Sequence, residues 1–406
     1  MPTRRYNTNM SATILKQRPY DLTQRSQVSR AAREVIRFIH SSDLGPDDRL
    51  PPQSELVAKL EFSNDTMSEA MRALVVAGVL TRKRRAGTVV SDPDRVVAGL
   101  WRVGVAVFST ICQPFYAHLL HRVLSNLHEL GCIATLHMLT PGCTRRPPLL
   151  ADFGALEADI ADGTVNGIIS FSDLALPEWD RVDRQGVPMC HVSAWEDAPS
   201  GVIIDQAPMV EQAIALLVAG GCKNLALVHC ESNESGYHRG LLAYRAAIKK
   251  AQLGSRSLMC FGGREGSHGG ARVADELLAL PQDQRPDGLI VLNDWMGMGF
   301  TARLAEAGSY RPNLTVQSNK QAPLAFALPV VHFEVDAEQI ALKSVEMLIQ
   351  RMRNPSIVGR CEWISPQLSL EEPSQMVGEA SQSKHVHESV VFNAVLSLQG
   401  ASYGTL

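Results

Sequence analysis

The sequence predicts a mixed α/β chain, a small helical head with a basic hairpin followed by a larger body of alternating strands and helices. Three observations predict this. Apolar residues recur at helical spacing between 28 and 75, the run Arg82-Lys83-Arg84-Arg85 precedes Gly87, and from 102 onward short apolar runs alternate with amphipathic stretches. At 406 residues the chain exceeds one ordinary domain. We read 1–26 as a flexible arm, 27–92 as the head, 93–100 as a linker, 101–370 as the body and 371–406 as a tail.

Composition bounds the class. A chain that is 45% hydrophobic and 20% charged can bury a sizeable core. Net charge is −3, but residues 1–92 hold 15 Lys+Arg against 10 Asp+Glu, which leaves a net −8 on the rest. A basic head on an acidic body suits a protein that meets a polyanion at one end. The eight cysteines are scattered without Cys-x-x-Cys or zinc spacing, so buried free thiols and no bound metal are expected. There is no apolar leader and no run of 18 apolar residues, so a cytoplasmic protein without membrane spans is expected.

In the head, Val28, Ala32, Val35, Ile36 and Ile39 mark a first helix over about 27–41, stopped by Asp43-Leu44-Gly45-Pro46-Asp47-Asp48. A second helix starts beside Pro52 and buries Leu56, Val57 and Leu60. Ser63 is placed to cap a third, with Asp65 in the first turn, where the helix dipole favours an acid. Met67, Ala70, Met71, Leu74 and Val75 line its inner face, while Asn64, Asp65, Ser68, Glu69 and Arg72 lie opposite. Taken alone, this periodicity fits any three-helix bundle. The hairpin narrows it, because four consecutive cations repel one another unless an anion lies opposite. Helix, turn, helix and basic hairpin make a winged helix-turn-helix that grips duplex DNA. Its candidate contacts are Asn64, Asp65, Thr66, Ser68, Arg72, Arg82, Lys83, Arg84, Arg85, Gly87 and Thr88.

The run Leu50-Pro51 through Glu55-Leu56, Leu60, Ser63, Thr66 and Glu69-Ala70, with Gly78-Val79-Leu80 and Gly87-Thr88-Val89-Val90, resembles the GntR-type winged-helix signature. Four departures qualify the resemblance. The family usually has arginines at the positions of Ser54, Asn64 and Ser68, and a turn glycine at that of Glu61. The resemblance implies DNA binding, but its usual base-reading set does not carry over.

In the body, strands are expected at 102–108, 133–139, 167–171, 187–192, 201–205, 225–228 and 288–292, with helices near 115–130, 153–162, 208–220 and 239–252. This alternation implies parallel sheets with ligand positions at strand C-termini. No dinucleotide fingerprint, P-loop, Gly-x-Ser-x-Gly elbow or His-Glu-x-x-His occurs, and Gly262-Gly263 and Gly269-Gly270 read as the flanks of a polar loop. No cofactor is expected. An enzyme-like α/β body behind the same head is the rival reading.

The segment Asn293-Asp294-Trp295-Met296-Gly297-Met298-Gly299 resembles the Asn-Asp-x-x-Ala-x-Gly segment of LacI-type sensor domains. Pro114-Phe115-Tyr116, Asn166-Gly167-Ile168-Ile169, Val187-Pro188, Val202 to Asp205, Gly221 to Ala226 and Ala243 to Ile248 follow that family's order. The resemblance implies two α/β lobes joined by three crossings, as in periplasmic-binding-protein-like (type I) domains, with a sugar-like effector between them. Asp294 beside Trp295 suits a polyol, its hydroxyls on the carboxylate and its C–H faces on the ring. Phe115, Tyr116, Asp173, Ser193, Trp195, Arg239, Trp295 and Asn319 complete the candidate effector set, with Arg239 one position out of the family's register. Lys320 allows an acidic ligand. The whole is expected to be a homodimeric transcription regulator of a DNA operator, in which the effector controls the grip.

Overall fold

The computed structural model describes residues 27–108, 113–143, 147–171, 174–194, 198–230, 236–264 and 266–369. The expected arm and tail, together with Cys112, Asp173 and Trp195, lie outside these residues, as does the side chain of Ser193.

The head forms as the periodicity requires. Helix α1 (Gln27–Ser41) turns Ala31, Ala32, Val35, Ile36 and Ile39 inward, all at most 2% exposed. Helix α2 (Gln53–Leu60) contributes Leu56, and α3 (Asn64–Ala77) contributes Met67, Ala70 and Leu74. Burying one such large side chain is worth about 1.5–3 kcal/mol, which is what holds a unit this small together. Strands β1 (Leu80–Lys83) and β2 (Gly87–Val90) pair antiparallel, with Lys83 opposite Gly87 and a three-residue tip between them. Arg49 bridges Val89 and ties the interhelical loop to the base of this wing.

The body has two lobes built on one plan. The first holds β3 (Arg102–Val107), α4 (Pro114–Glu129), β4 (Ile133–Met138), α5 (Leu156–Ala161), β5 (Gly167–Ser170), α6 (Leu176–Arg184), β6 (Met189–Ala194) and β7 (Gly201–Ile204). The second holds α7 (Ala207–Ala219), β8 (Leu225–Cys230), α8 (Gly236–Lys250), β9 (Met259–Gly263), α9 (Ser267–Leu278), β10 (Gly288–Val291), α10 (Asp294–Ala307), β11 (Asn313–Asn319) and β12 (Val331–Val335). Helix α11 (Ala337–Arg353) returns to the first lobe, packing on α4 and β6. Strand β13 (Cys361–Ile364) extends the first sheet, and β14 (Gln367–Leu368) extends the second. The strand orders are β4-β3-β5-β6-β7-β13 and β9-β8-β10-β11-β12-β14, parallel apart from the β12–β14 pair. The chain therefore crosses between lobes three times, at 205–206, at 336 and at 365–366. Each order reverses beside its first strand, and these reversals, β3/β5 and β8/β10, open a crevice at the strand C-termini.

One expectation is overturned. Gly262-Gly263 ends β9, and Gly269-Gly270 lies inside α9 rather than flanking a loop. A Cβ on Gly270 would stand 1.9 Å from the Met296 carbonyl oxygen, and one on Gly299 would stand 1.8 Å from that of Ser267. These glycines let α9 and α10 touch backbone to backbone, a packing gain that outweighs glycine's poor helix propensity.

Burial pushes the Cys190 thiol up to about 12 and those of Cys132 and Cys222 up to about 11, so all three are protonated at neutral pH. The head docks on the first lobe through α1. Arg37 Nε donates to the Met352 carbonyl at 3.0 Å, Arg33 donates to that of Leu100 at 3.3 Å, and Arg353 pairs with Asp94 at 2.9 Å. Residues 93–100 pack against this seam, burying Val97 and Leu100. Among the described residues no helix is long and apolar enough to cross a membrane, and no group of three or more His, Cys, Asp or Glu gathers as a metal would require.

Candidate functional site

Two surfaces carry the predicted residues. On the head, Ser63 caps α3 as expected, its hydroxyl accepting from the Thr66 N–H at 3.1 Å and donating to Thr66 Oγ1 at 2.8 Å. Thr66 is thereby engaged in the cap, while Asn64 and Asp65 stand exposed in the first turn. One turn along the helix, Arg72 Nε donates to the Ser68 carbonyl at 3.4 Å, and Arg72 is exposed. Gln53, not singled out in the sequence, donates to the Asn64 carbonyl at 3.3 Å and joins the N-termini of α2 and α3.

The wing presents Arg82, Lys83, Arg84, Arg85 and Gly87 to solvent, with Thr88 half-buried. Lys83 Nζ lies 2.5 Å from Asp47 Oδ1, and this contact holds the Asp47 carboxyl below its usual range. Gly87 adopts φ 83°, and the Arg49 guanidinium lies against it, 3.4 Å from where a Cβ would be. Arg49 is exposed and adds a cation to the wing base. Its isolation in the sequence hid it. Arg85 adopts φ 67°, a left-handed conformation that costs an L-residue about 1–2 kcal/mol.

In the body, Asn293 is the residue that caps α10, its Oδ1 accepting from the Met296 N–H at 2.9 Å. The adjacent Asp294 therefore does not serve as the N-cap. Its Oδ1 accepts from the Trp295 N–H at 2.8 Å, and its Oδ2 accepts from Asn319 Nδ2 at 2.5 Å. Asp294 follows β10 and Asn319 ends β11, so adjacent strand ends orient one half-buried carboxylate beside the second lobe's reversal. The Trp295 ring lies over Gly266, 3.8 Å from where a Cβ would be. Lys320 is committed elsewhere, 3.6 Å from Asp336, which caps α11. The charge that allowed an acidic ligand already has a partner.

On the first lobe, Phe115 and Tyr116 open α4 just after β3. Their rings meet edge-on at 5.2 Å, and Tyr116 meets Phe108 at 5.0 Å. Both are half-buried, the state expected of an aromatic wall with one side on the core. Arg239 lies at the first crossing. It lies 3.4 Å from Asp205 Oδ1 and stacks over Trp363 at 4.4 Å. Asp205 and Trp363, which the sequence reading did not select, bring β7, α8 and β13 together there. Their separation along the chain left no local pattern to find.

Residues 27–90 match the family described as bacterial regulatory proteins, gntR family, and residues 185–370 match the periplasmic binding protein-like domain. The head is a GntR-type domain, and the body is periplasmic-binding-protein-like. Over 64 residues the chain is 44% identical to the histidine utilization repressor of Klebsiella aerogenes, a match covering 16% of this chain and 27% of that protein. The corresponding repressor of Pseudomonas putida is 37% identical over 65 residues, covering 16% and 26%. The chain thus matches only about a quarter of the length of these curated relatives.

The body is similar in fold to LacI-type regulators. A LacI family regulator from Enterococcus faecium, solved with bound ribose, aligns with a TM-score of 0.53 and 18% identity, covering 68% of this chain and all of that one. The lac repressor dimer bound to operator and an anti-inducer aligns at 0.57 and 16%, covering 68% and 94%. A LacI regulator from Rhodococcus aligns at 0.55 and 18%, covering 66% and 96%. These relatives are regulators and repressors, not enzymes.

Proposed function

We propose that this chain is a transcription regulator whose winged head grips a duplex operator and whose two-lobed body makes that grip depend on a sugar-like small molecule. The observation that carries the effector reading is the Asp294–Asn319 pair. A carboxylate beside an indole ring, aligned by a neighbouring strand's amide and spared from capping its own helix, can accept hydroxyl hydrogens while apolar C–H faces rest on aromatic rings. Phe115 and Tyr116 take the matching position at the reversal of the other lobe. The Enterococcus regulator solved with ribose supports this ligand class. The match to the histidine utilization repressors covers only 16% of this chain and about a quarter of theirs, too little to carry a ligand class.

The chain acts as a cytoplasmic homodimer that sets two heads on a pseudo-palindromic operator, and lobe closure re-spaces them. Repression relieved by the effector is the expected sign. The test is a thermal-shift screen of sugars on the full chain, followed by Asp294→Ala. The hit should stabilise the wild type and leave Asp294→Ala unmoved, while that variant still binds the operator. An equal shift in both would remove Asp294 from the site, and no hit among neutral sugars would overturn the ligand class.

A further inference from the structure

A second cleft of about 660 Å³ lies on the side opposite the strand C-termini, between α1 of the head and the first-lobe segments around 160–166 and 185–187 that lead into β5 and β6. Its wall carries four arginines, Arg30, Arg33, Arg37 and Arg102, against two carboxylates, Glu34 and Asp162. Both carboxylates are engaged with neighbours. Glu34 Oε1 accepts from Arg37 Nη1 at 2.8 Å, and Asp162 Oδ1 accepts from the Thr164 N–H at 2.9 Å and from its hydroxyl. Arg33 stands at the centre of the cluster, half-buried, its Nη1 donating to the neutral Leu100 carbonyl. Burial first, then the neighbouring charge of Arg37, with Arg102 and Arg30 adding to it, pulls the Arg33 guanidinium down to about 10 against the opposing pull of Glu34. Like charges gathered in a partly dry cleft are unfavourable unless a counter-charge lies between them.

We propose that this seam cleft binds a small multivalent oxyanion, a phosphorylated or polycarboxylate molecule, which bridges α1 to the first lobe and fixes the head on the body. Guanidinium forks match phosphate and carboxylate oxygens two at a time, and Arg30 and Arg102 reach the cleft from its two sides, one from the head and one from β3. The volume admits a small metabolite. The occupant touches both domains, so its binding stabilises their docked arrangement over any other.

The experiment is thermal unfolding of the full chain, without DNA or sugar, titrated with pyrophosphate or citrate against sodium chloride at matched ionic strength. A saturable rise of a few degrees is expected in the wild type. It should be lost in Arg33→Gln and, in case that partly buried position compromises folding, also in the exposed Arg30→Gln. A variant with Arg82, Arg84 and Arg85 changed to alanine should keep the rise, because the wing is the other cationic surface. No rise in the wild type, or a rise lost only in the wing variant, would overturn the proposal. A response to pyrophosphate alone assigns the cleft to phosphorylated ligands, and one to citrate alone assigns it to polycarboxylates. The readout uses neither operator nor effector, so its failure is separable from failure of the regulator reading.

Discussion

The position where this head departs most plainly from its family is Glu61, which occupies the turn between α2 and α3 with φ 58° and ψ 39°. Its N–H closes α2 by donating to the Val57 carbonyl at 3.0 Å, so the left-handed conformation is structural. An L-residue there carries about 1–2 kcal/mol of strain, and glycine removes it at an entropic cost of about 0.5–1 kcal/mol. Glu61→Gly should therefore stabilise the chain by up to ~1 kcal/mol, read as a higher urea midpoint with unchanged slope. A lower midpoint would mean that the glutamate makes a stabilising contact of its own. Glu61 was legible from sequence because a turn between two helices demands a specific backbone. Asp294 was legible only in part. The chemistry of an acid beside an indole is local, but the grip of Asn319 depends on how β10 and β11 pair.

At the scale of the element, the wing concentrates the head's charge, and its ion pairing ranks its members. Lys83 is partly neutralised by Asp47, whereas Arg82, Arg84 and Arg85 stand exposed. If each of these three arginines meets a phosphate, their joint change to alanine should flatten the slope of log affinity against log salt by up to about 3. Lys83→Ala alone should change the slope least, and Asp47→Ala should raise operator affinity by removing a competing carboxylate. Fluorescence anisotropy across a salt series measures all three. An unchanged slope in the triple variant would remove the wing from the DNA interface. Elements were legible wherever periodicity stood alone, as in α1, α3 and the central strands. They were hidden where packing overrides propensity. Gly269-Gly270 reads as loop because glycine disfavours helices, yet α9 needs those glycines to approach α10. The Arg239–Trp363 stack is invisible to any local pattern, because Trp363 lies on β13, which the chain reaches only after the second crossing, far along the sequence from α8.

At the scale of the whole molecule, the seam between head and body determines whether a ligand in the body can act on DNA. The seam is polar and contains a titrating group. His40, on the last turn of α1, faces the Pro93 carbonyl at 3.2 Å, while its own carbonyl accepts from Asn354 Nδ2 at 3.4 Å. Burial holds the His40 imidazole below its ordinary value, aided by Arg353 and opposed by Asp94 and the Pro93 carbonyl. His137 in the first lobe is lowered in the same way, burial outweighing Asp159. Both folded-state values lie below the unfolded one, so at pH above about 6.5 neither group affects stability. As pH falls below that value the unfolded chain takes up protons that the folded chain resists, and stability declines. The Glu362 carboxyl, held down by Lys343 and then Arg360, contributes stability above its unfolded value of about 4.3 and loses it only at lower pH. The two windows are therefore separate, and a melting temperature that falls between pH 6.5 and 5 belongs to the histidines. His40→Gln should flatten part of that fall and suppress the matching rise in proteolysis at residues 93–100, whereas His137→Asn should flatten the fall without protecting the seam. If proteolysis between the domains were constant from pH 7 to 5, the seam would not open with acid, and His40 would serve only to pack α1 against Pro93.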